Sequence, residues 1–294
     1  MLALEIIGTK RSEKGGSDMP ELPEVETVRR TLQSLVVGKT IADVTVTLGR
    51  IIRNPDDVNQ FIQLLKGQTI HAVDRRAKFL RFVCDDLVLL SHLRMEGRYG
   101  VYGAEEPVEL HTHVRFHFSD GTELRYKDVR QFGTMDLLPL GEEWKRAPLK
   151  DLGIEPLDEA FTFPRFKAIL KNRSTKVKPF LLNQSYIVGL GNIYVDESLF
   201  AAGIHPERAI SSLKKSELER LFHAIRDTLQ SAVDLGGSSV KSYVNGQGEM
   251  GMFQQQLLVY GKQGQSCMKC GNVIQKTVVG GRGTHFCLKC QRYK

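Results

Sequence analysis

Two cysteine pairs near the carboxyl end, Cys267-x-x-Cys270 and Cys287-x-x-Cys290, stand sixteen residues apart. Paired knuckles at this spacing match a tetrathiolate zinc site, each knuckle offering two sulfurs. Four thiolates complete the coordination, so the expected zinc is single, closed off and structural; nearby His285 is not needed as a ligand. At the other end lies Met19-Pro20-Glu21-Leu22-Pro23-Glu24-Val25-Glu26. Met19 could itself start translation, and its removal would leave Pro20 as a secondary amine. Such an amine can attack a sugar carbon and form an iminium. A plainer reading stays open on composition, because Pro and Glu suit the first turn of any helix.

Helical spacing of Val25, Val28, Leu32 and Leu35, with Gly38 after them, predicts an amphipathic helix over 24–36. Short β-rich runs follow at 41–48, 69–73, 79–83, 87–91, 113–118, 122–126 and 133–138, separated by turn signals such as Ser119-Asp120-Gly121. One helix and many short strands predict a β-sandwich. From Phe163 the pattern turns helical, with helices expected over 165–171, 178–183, 193–202 and 216–235. The fold class is therefore α+β, with a domain boundary near residue 150. Residues 1–18, polar and Gly/Ser-rich at their end, read as a disordered extension or a mis-assigned start. The Gly-rich stretch 236–251 reads as a loop. The expected divisions are 19–150, 151–262 and a zinc finger at 263–294.

The chain has 294 residues, 41% hydrophobic and 26% charged, which describes an ordinary globular protein with room for two cores. No apolar run approaches the ~18–20 residues of a membrane span, and the amino end lacks a signal-peptide pattern, so the chain is read as cytoplasmic. Its net charge of +7 is unevenly placed: residues 240–294 hold eight Lys or Arg and one acid, Glu249, and so carry all of it. A cationic zinc module fits a phosphate surface, although a solvated basic tail would look the same. The remaining cysteine, Cys84, lies in an apolar run and reads as an inert core thiol.

Taken together, the motifs resemble bacterial formamidopyrimidine-DNA glycosylases, also called 8-oxoguanine DNA glycosylases, from Pro20 to Gln291. The likeness rests on 20–30 (PELPEVETVRR), 75–80 (RRAKFL), 91–95 (SHLRM), 128–133 (DVRQFG), 188–194 (VGLGNIY) and 282–287 (RGTHFC). Leu22 stands where the related endonuclease VIII branch has glycine, which favours the purine-lesion branch. The resemblance implies an N-terminal β-sandwich with a flanking helix, a helix–two-turn–helix domain and a zinc ribbon, with DNA in the cleft between them.

It also implies roles. Pro20 would be the nucleophile at C1′, Glu21 the general acid–base, and Glu24 its supporting carboxylate. Lys78 and His92 would hold phosphates or the sugar. Asn192, the amides of 189–192 and Arg282 would form the opposite phosphate clamp. Met95, Arg130 and Phe132 would fill the gap left by an everted base, and the 236–251 loop would close over that base. The implied partner is double-stranded DNA containing an oxidised purine, bound by a monomer. In the present chain Pro20 is internal and its nitrogen is an amide. Lys14-Gly15-Gly16 can be encoded by a purine-rich ribosome-binding run just ahead of Met19, which favours a start there. Two other readings remain: an endonuclease VIII-type enzyme for oxidised pyrimidines, and a non-catalytic zinc-ribbon DNA-binding protein if Pro20 stays blocked.

Overall fold

The computed structural model describes residues 19–238 and 252–293. The extension 1–18 and most of the expected 236–251 loop lie outside the described residues. Helix α1 (Leu22–Val36) buries Val25, Val28 and Leu32 on one face, as the spacing predicts, and ends with Val36 buried and Leu35 only partly so. It packs on one side against strand β3 (Ala72–Arg76) and on the other against helix α6 (Lys215–Asp234). The helix that carries the Pro-Glu motif thus lies between the two halves of the molecule.

The first half is a sandwich of two sheets. One has four strands in the order β1 (Ile41–Val46), β7 (Thr112–Phe118), β8 (Thr122–Lys127), β6 (Arg98–Gly103). The other has five, in the order β2 (Ile52–Asn54), β9 (Thr134–Pro139), β5 (Leu87–His92), β4 (Phe79–Val83), β3. Val114, Phe116 and Leu124 from the first sheet meet Leu80, Phe82 and Leu89 from the second in one core. Several elements depart from the sequence expectation, the short β2 among them. The strand expected at 69–73 begins at Ala72 and runs on through Arg75 and Arg76, whose charges are paired with Glu26 and Glu155. Helix α2 (Val58–Leu65) went unpredicted: it is short, buries only Phe61 and Leu65, and is started by the Asp57 carboxylate on the amide of Asn59 at 2.8 Å. Strand β6 also went unpredicted, because Gly100 and Gly103 dilute its pattern.

The register of the five-stranded sheet matters most. Arg76 pairs with Phe79, so Ala77-Lys78 is the two-residue turn of the β3–β4 hairpin, with Ala77 at φ 53°. Phe79 pairs with His92, and His92 with Thr134. One end of this sheet therefore gathers Lys78, His92 and the 128–133 segment.

The second half has its own core, built from α3 (Phe163–Leu170), α4 (Val177–Leu182), α5 (Asn192–Ala202) and α6. The hairpin β10 (Gln275–Val279) and β11 (Arg282–Phe286) closes the described chain and packs on α5. Glu155 ties the halves together, accepting from Arg75 at 3.0 Å and Arg76 at 3.1 Å. No helix among the described residues is long and apolar enough to cross a membrane.

Candidate active site and nucleic-acid interface

The four cysteine sulfurs lie within 4.8 Å of one another, with Cys267 and Cys290 Sγ 3.9 Å apart and Cys270 and Cys287 Sγ 3.5 Å apart. A tetrahedral zinc with sulfurs at about 2.3 Å holds them roughly 3.8 Å from each other, so the cluster fits one structural zinc. Cys267 and Cys287 are buried with Ile274, Val259 and Phe200, which seats the knuckles on α5.

Glu21 immediately precedes α1, and its carboxylate crosses to the second half of the molecule. It accepts from the amides of Gly191 at 2.6 Å, Ile193 at 2.8 Å and, more weakly, Tyr194 at 3.4 Å. These are free donors of the first turn of α5, where the helix dipole favours a negative group. The acceptor at this helix N-terminus is therefore a protein carboxyl group. Two of the amides of 189–192 expected to meet phosphate are thus taken within the protein, Gly191 by Glu21 and Gly189 by the Gln184 side chain at 2.9 Å. Gly191 has no room for a side chain, because a Cβ there would lie 2.4 Å from the Glu21 carboxyl carbon.

Burial raises the Glu21 pKa from 4.5 to about 8; Glu24 adds to the rise, while Lys78 and the α5 amides oppose it. Glu24 stands directly behind. One of its oxygens accepts from the Glu21 amide at 2.9 Å, and the other from Tyr194 Oη at 2.6 Å and from Ser238 N and Oγ at 2.7 and 2.9 Å.

In front of Glu21 opens a cavity of about 600 Å³, within the usual range for ligand sites. Glu21, Lys78, His92, Met95, Phe132, Asn192 and Arg282 all line it, and so does Met19, the residue bonded to the Pro20 nitrogen. Pro20 itself is buried behind Met19. Lys78 is buried too, contrary to the exposed strand position its neighbours suggest, because the turn that carries it points into the cleft. Its Nζ donates to the Leu190 carbonyl at 3.0 Å. Burial lowers the Lys78 pKa, opposed by Glu21 and Glu24. His92 is held neutral, its pKa pushed down to about 3 by burial and by Arg94, Lys78 and Arg53. Its Nδ1 accepts from the Arg94 amide at 3.0 Å, which leaves Nε2–H as a neutral donor.

The hairpin turn is Gly280-Gly281, both at positive φ, and Arg282 follows it as the first residue of β11, paired with Val279. The hairpin is fixed from beneath by the buried ion pair of Lys178 and Asp196 at 2.7 Å. Lys178 Nζ also donates to the Gly283 carbonyl at 3.0 Å, and Asp196 accepts from the His285 amide at 2.8 Å. Asn192 contributes as well, its Nδ2 donating to the same Gly283 carbonyl at 2.9 Å. Its Oδ1 is buried without a partner.

Met95 and Phe132 approach the cavity from the sandwich, Met95 half-buried and Phe132 52% exposed. The Arg130 guanidinium lies 5.2 Å from the Phe132 ring centre, outside the cavity wall. Sequence reasoning missed Arg53, Gln184, Tyr194 and Ser238. Tyr194 and Ser238 stand inside segments already singled out, whereas nothing local marks Arg53 or Gln184. Only the fold brings those two to the cleft.

Three domain profiles match this chain in order: the formamidopyrimidine-DNA glycosylase N-terminal domain over residues 19–135, the formamidopyrimidine-DNA glycosylase H2TH domain over 152–244, and the zinc finger found in FPG and IleRS over 264–292. The class so defined is a helix–two-turn–helix DNA glycosylase with a zinc finger. The formamidopyrimidine-DNA glycosylase of Brevibacillus brevis is 65% identical over 274 residues, covering 93% of this chain and 99% of that protein. The one from Cytobacillus firmus is 60% identical over 273 residues, covering 93% and 100%. Among solved structures, a point mutant of Lactococcus lactis FPG in complex with DNA containing Fapy-dG superposes with a TM-score of 0.88 at 43% identity, covering 93% of this chain and all of that one. The Lactococcus lactis Fpg complex with DNA containing an abasic site gives the same values. The chain belongs to the formamidopyrimidine-DNA glycosylase family, which carries DNA glycosylase and AP lyase activity.

Proposed function

We propose that this protein excises oxidised purines, 8-oxoguanine and formamidopyrimidines, from double-stranded DNA and then cleaves the strand. The observation that carries the reading is the buried Glu21. It adjoins Pro20, faces the cavity, and its raised pKa keeps it protonated at neutral pH. The Pro20 lone pair forms a bond to C1′ as the bond to the base breaks, the base leaving with the electron pair and taking up the proton that the Pro20 amine releases. Glu21 gives its proton to the ring oxygen, the sugar opens, and the nitrogen and C1′ become an iminium. The Glu21 carboxylate then takes a C2′ proton, which expels the 3′ phosphate, and a second elimination with loss of the C4′ proton expels the 5′ phosphate.

Lys78 and the neutral His92 hold phosphate or sugar on the sandwich side. Asn192 and Arg282 hold it on the zinc side. Met95, Arg130 and Phe132 occupy the space the everted base leaves. We read the divisions as 19–150, 151–262 and 263–294, the protein as a monomer, and its place in the cell as the cytoplasm, on the nucleoid when bound.

The chemistry requires that the Met19–Pro20 bond be cut, since an amide nitrogen's lone pair is delocalised into its carbonyl. The family profile begins at residue 19, which supports a start at Met19. The test is borohydride trapping on 8-oxoguanine duplex. Protein begun at Met19, with Pro20 verified as its first residue by mass spectrometry, should form a covalent adduct. Absence of an adduct from that form would leave the non-catalytic reading standing.

A second reading, oxidised pyrimidines as substrates, draws on the solved complex of Lactococcus lactis FPG with DNA containing an oxidised pyrimidine. Excision of thymine glycol measured beside 8-oxoguanine ranks the two.

A further inference from the structure

Asp128 belongs to no role assigned above, yet it is fully buried beneath the segment that carries Arg130 and Phe132. One carboxylate oxygen accepts from the Arg130 amide at 3.0 Å; the other accepts from the Gly133 amide at 2.8 Å and from Tyr126 Oη at 3.3 Å. Its own amide donates to the His111 carbonyl at 3.0 Å, and its carbonyl meets His113 Nε2 at 2.9 Å and the Gln131 amide at 3.3 Å. Three donors converging on two oxygens call for a group with acceptors only, which a carboxylate provides and an amide does not.

Between the two amides it holds, the chain makes a turn that its sequence does not favour. Gln131 adopts φ 59° without being glycine, and its side-chain oxygen is held from outside by Arg50 Nη2 at 2.5 Å. Gly133 allows the close return, because a Cβ there would lie 1.7 Å from Tyr126 Oη. The segment is thereby fixed at both ends and at its middle, and the Arg130–Phe132 pair projects from it.

We propose that Asp128, assisted by Arg50, is the positioning residue for opposite-base recognition: it fixes the 130–133 backbone so that Arg130 addresses the base facing the lesion. This rests on the reading of Arg130 and Phe132 given above. Asp128 touches neither lesion nor phosphate, and it acts only through the backbone it holds.

The test is single-turnover excision of 8-oxoguanine opposite cytosine and opposite adenine, with thermal melting recorded for each protein. Asp128→Asn puts an amide nitrogen against an N–H or O–H donor and should reduce the cytosine-over-adenine ratio by about tenfold or more, the scale of one lost base contact. Arg130→Ala should lower the ratio equally, and the double variant should go no further. Arg50→Ala, a surface change, should lower it in part. A folded Asp128→Asn that slows both substrates alike and keeps the ratio, while Arg130→Ala loses it, overturns the proposal. If Arg130→Ala itself keeps the ratio, the underlying reading of Arg130 falls and this inference with it. Should Asp128→Asn not fold, Arg50→Ala decides, and an unchanged ratio there overturns the proposal.

Discussion

Replacing Glu21 by Gln separates the proton from everything else the residue does. The carboxylate oxygens take the amides of Gly191 and Ile193 at 2.6 and 2.8 Å. Glutamine keeps one acceptor and turns an NH₂ toward the other amide, a donor against a donor that costs about 1–3 kcal/mol when buried. It carries no charge, but burial already holds Glu21 protonated at neutral pH, so the charge seen by DNA hardly changes. Lesion affinity should therefore stay near that of the wild type. Excision should fall by roughly 10²–10⁴, the contribution of a positioned general acid.

The pH dependence gives the sharper reading. An acid with its midpoint at about 8 must be protonated to act, so wild-type kcat/KM should decline tenfold per unit above that pH, and the variant should show no such limb. Stability carries the same signature. The folded state keeps a proton that the unfolded chain has released between pH 4.5 and about 8. Glu21's contribution is thus full below 4.5 and is lost as pH rises through about 8, and the Gln variant should lack that slope. The assay is single-turnover and subsaturating excision over pH 6–9.5, beside anisotropy binding and melting. A variant that excises within tenfold of wild type and keeps the limb would show that another group supplies the proton.

Three further perturbations test the rest of the site. Arg282→Ala should weaken binding on every sequence and lower the slope of log affinity against log salt by about one, as measured by titration at several salt concentrations. Zinc removal should abolish duplex binding but leave the N-terminal melting transition in place, since the sandwich core shares no residue with the cysteine cluster; calorimetry with and without chelator reads both. Asp196→Asn strips the buried Lys178 of its counter-charge and should cost about 3–5 kcal/mol in denaturant melts, with a loss of DNA affinity resembling that of Arg282→Ala.

What could be read in the sequence divides along a physical line. The α1 stripe, the helices of the second half and the cysteine ligands were legible, because each is set by spacing within one short segment. Boundaries slipped where tertiary pairing overrode local preference: β3 continues through Arg75 and Arg76 only because Glu26 and Glu155 lie opposite. Lys78 was found through its motif, yet its place in a turn depends on the register of Arg76 with Phe79, which no local pattern encodes. Arg53 and Gln184 were missed for a similar reason. Arg53 reaches the cavity from strand β2 and Gln184 from the turn after α4, two segments whose only common feature is the cleft.

The expectation that α5 would offer its first amides to phosphate failed in an instructive way. The physics was right, in that the free amides of a helix N-terminus found an acceptor. The acceptor was the Glu21 carboxyl, from 170 residues away along the chain. That choice gives α5 a function the sequence does not announce. Its first turn holds Glu21, the proposed acid, and Tyr194 on the same turn holds Glu24. One turn later Asp196 holds the β11 hairpin, and Glu197 accepts from the amides of Leu258, Val259 and Tyr260 at 2.8–2.9 Å. A single helix therefore sets the distance between the acid beside Pro20 and the arginine on the zinc ribbon. Chemistry on a phosphodiester needs that distance constant while base and sugar move, and packed helices with buried, paired charges are what a protein has to fix it. The segment proposed to meet the opposite base, 130–133, lies outside that helix and is held separately by Asp128.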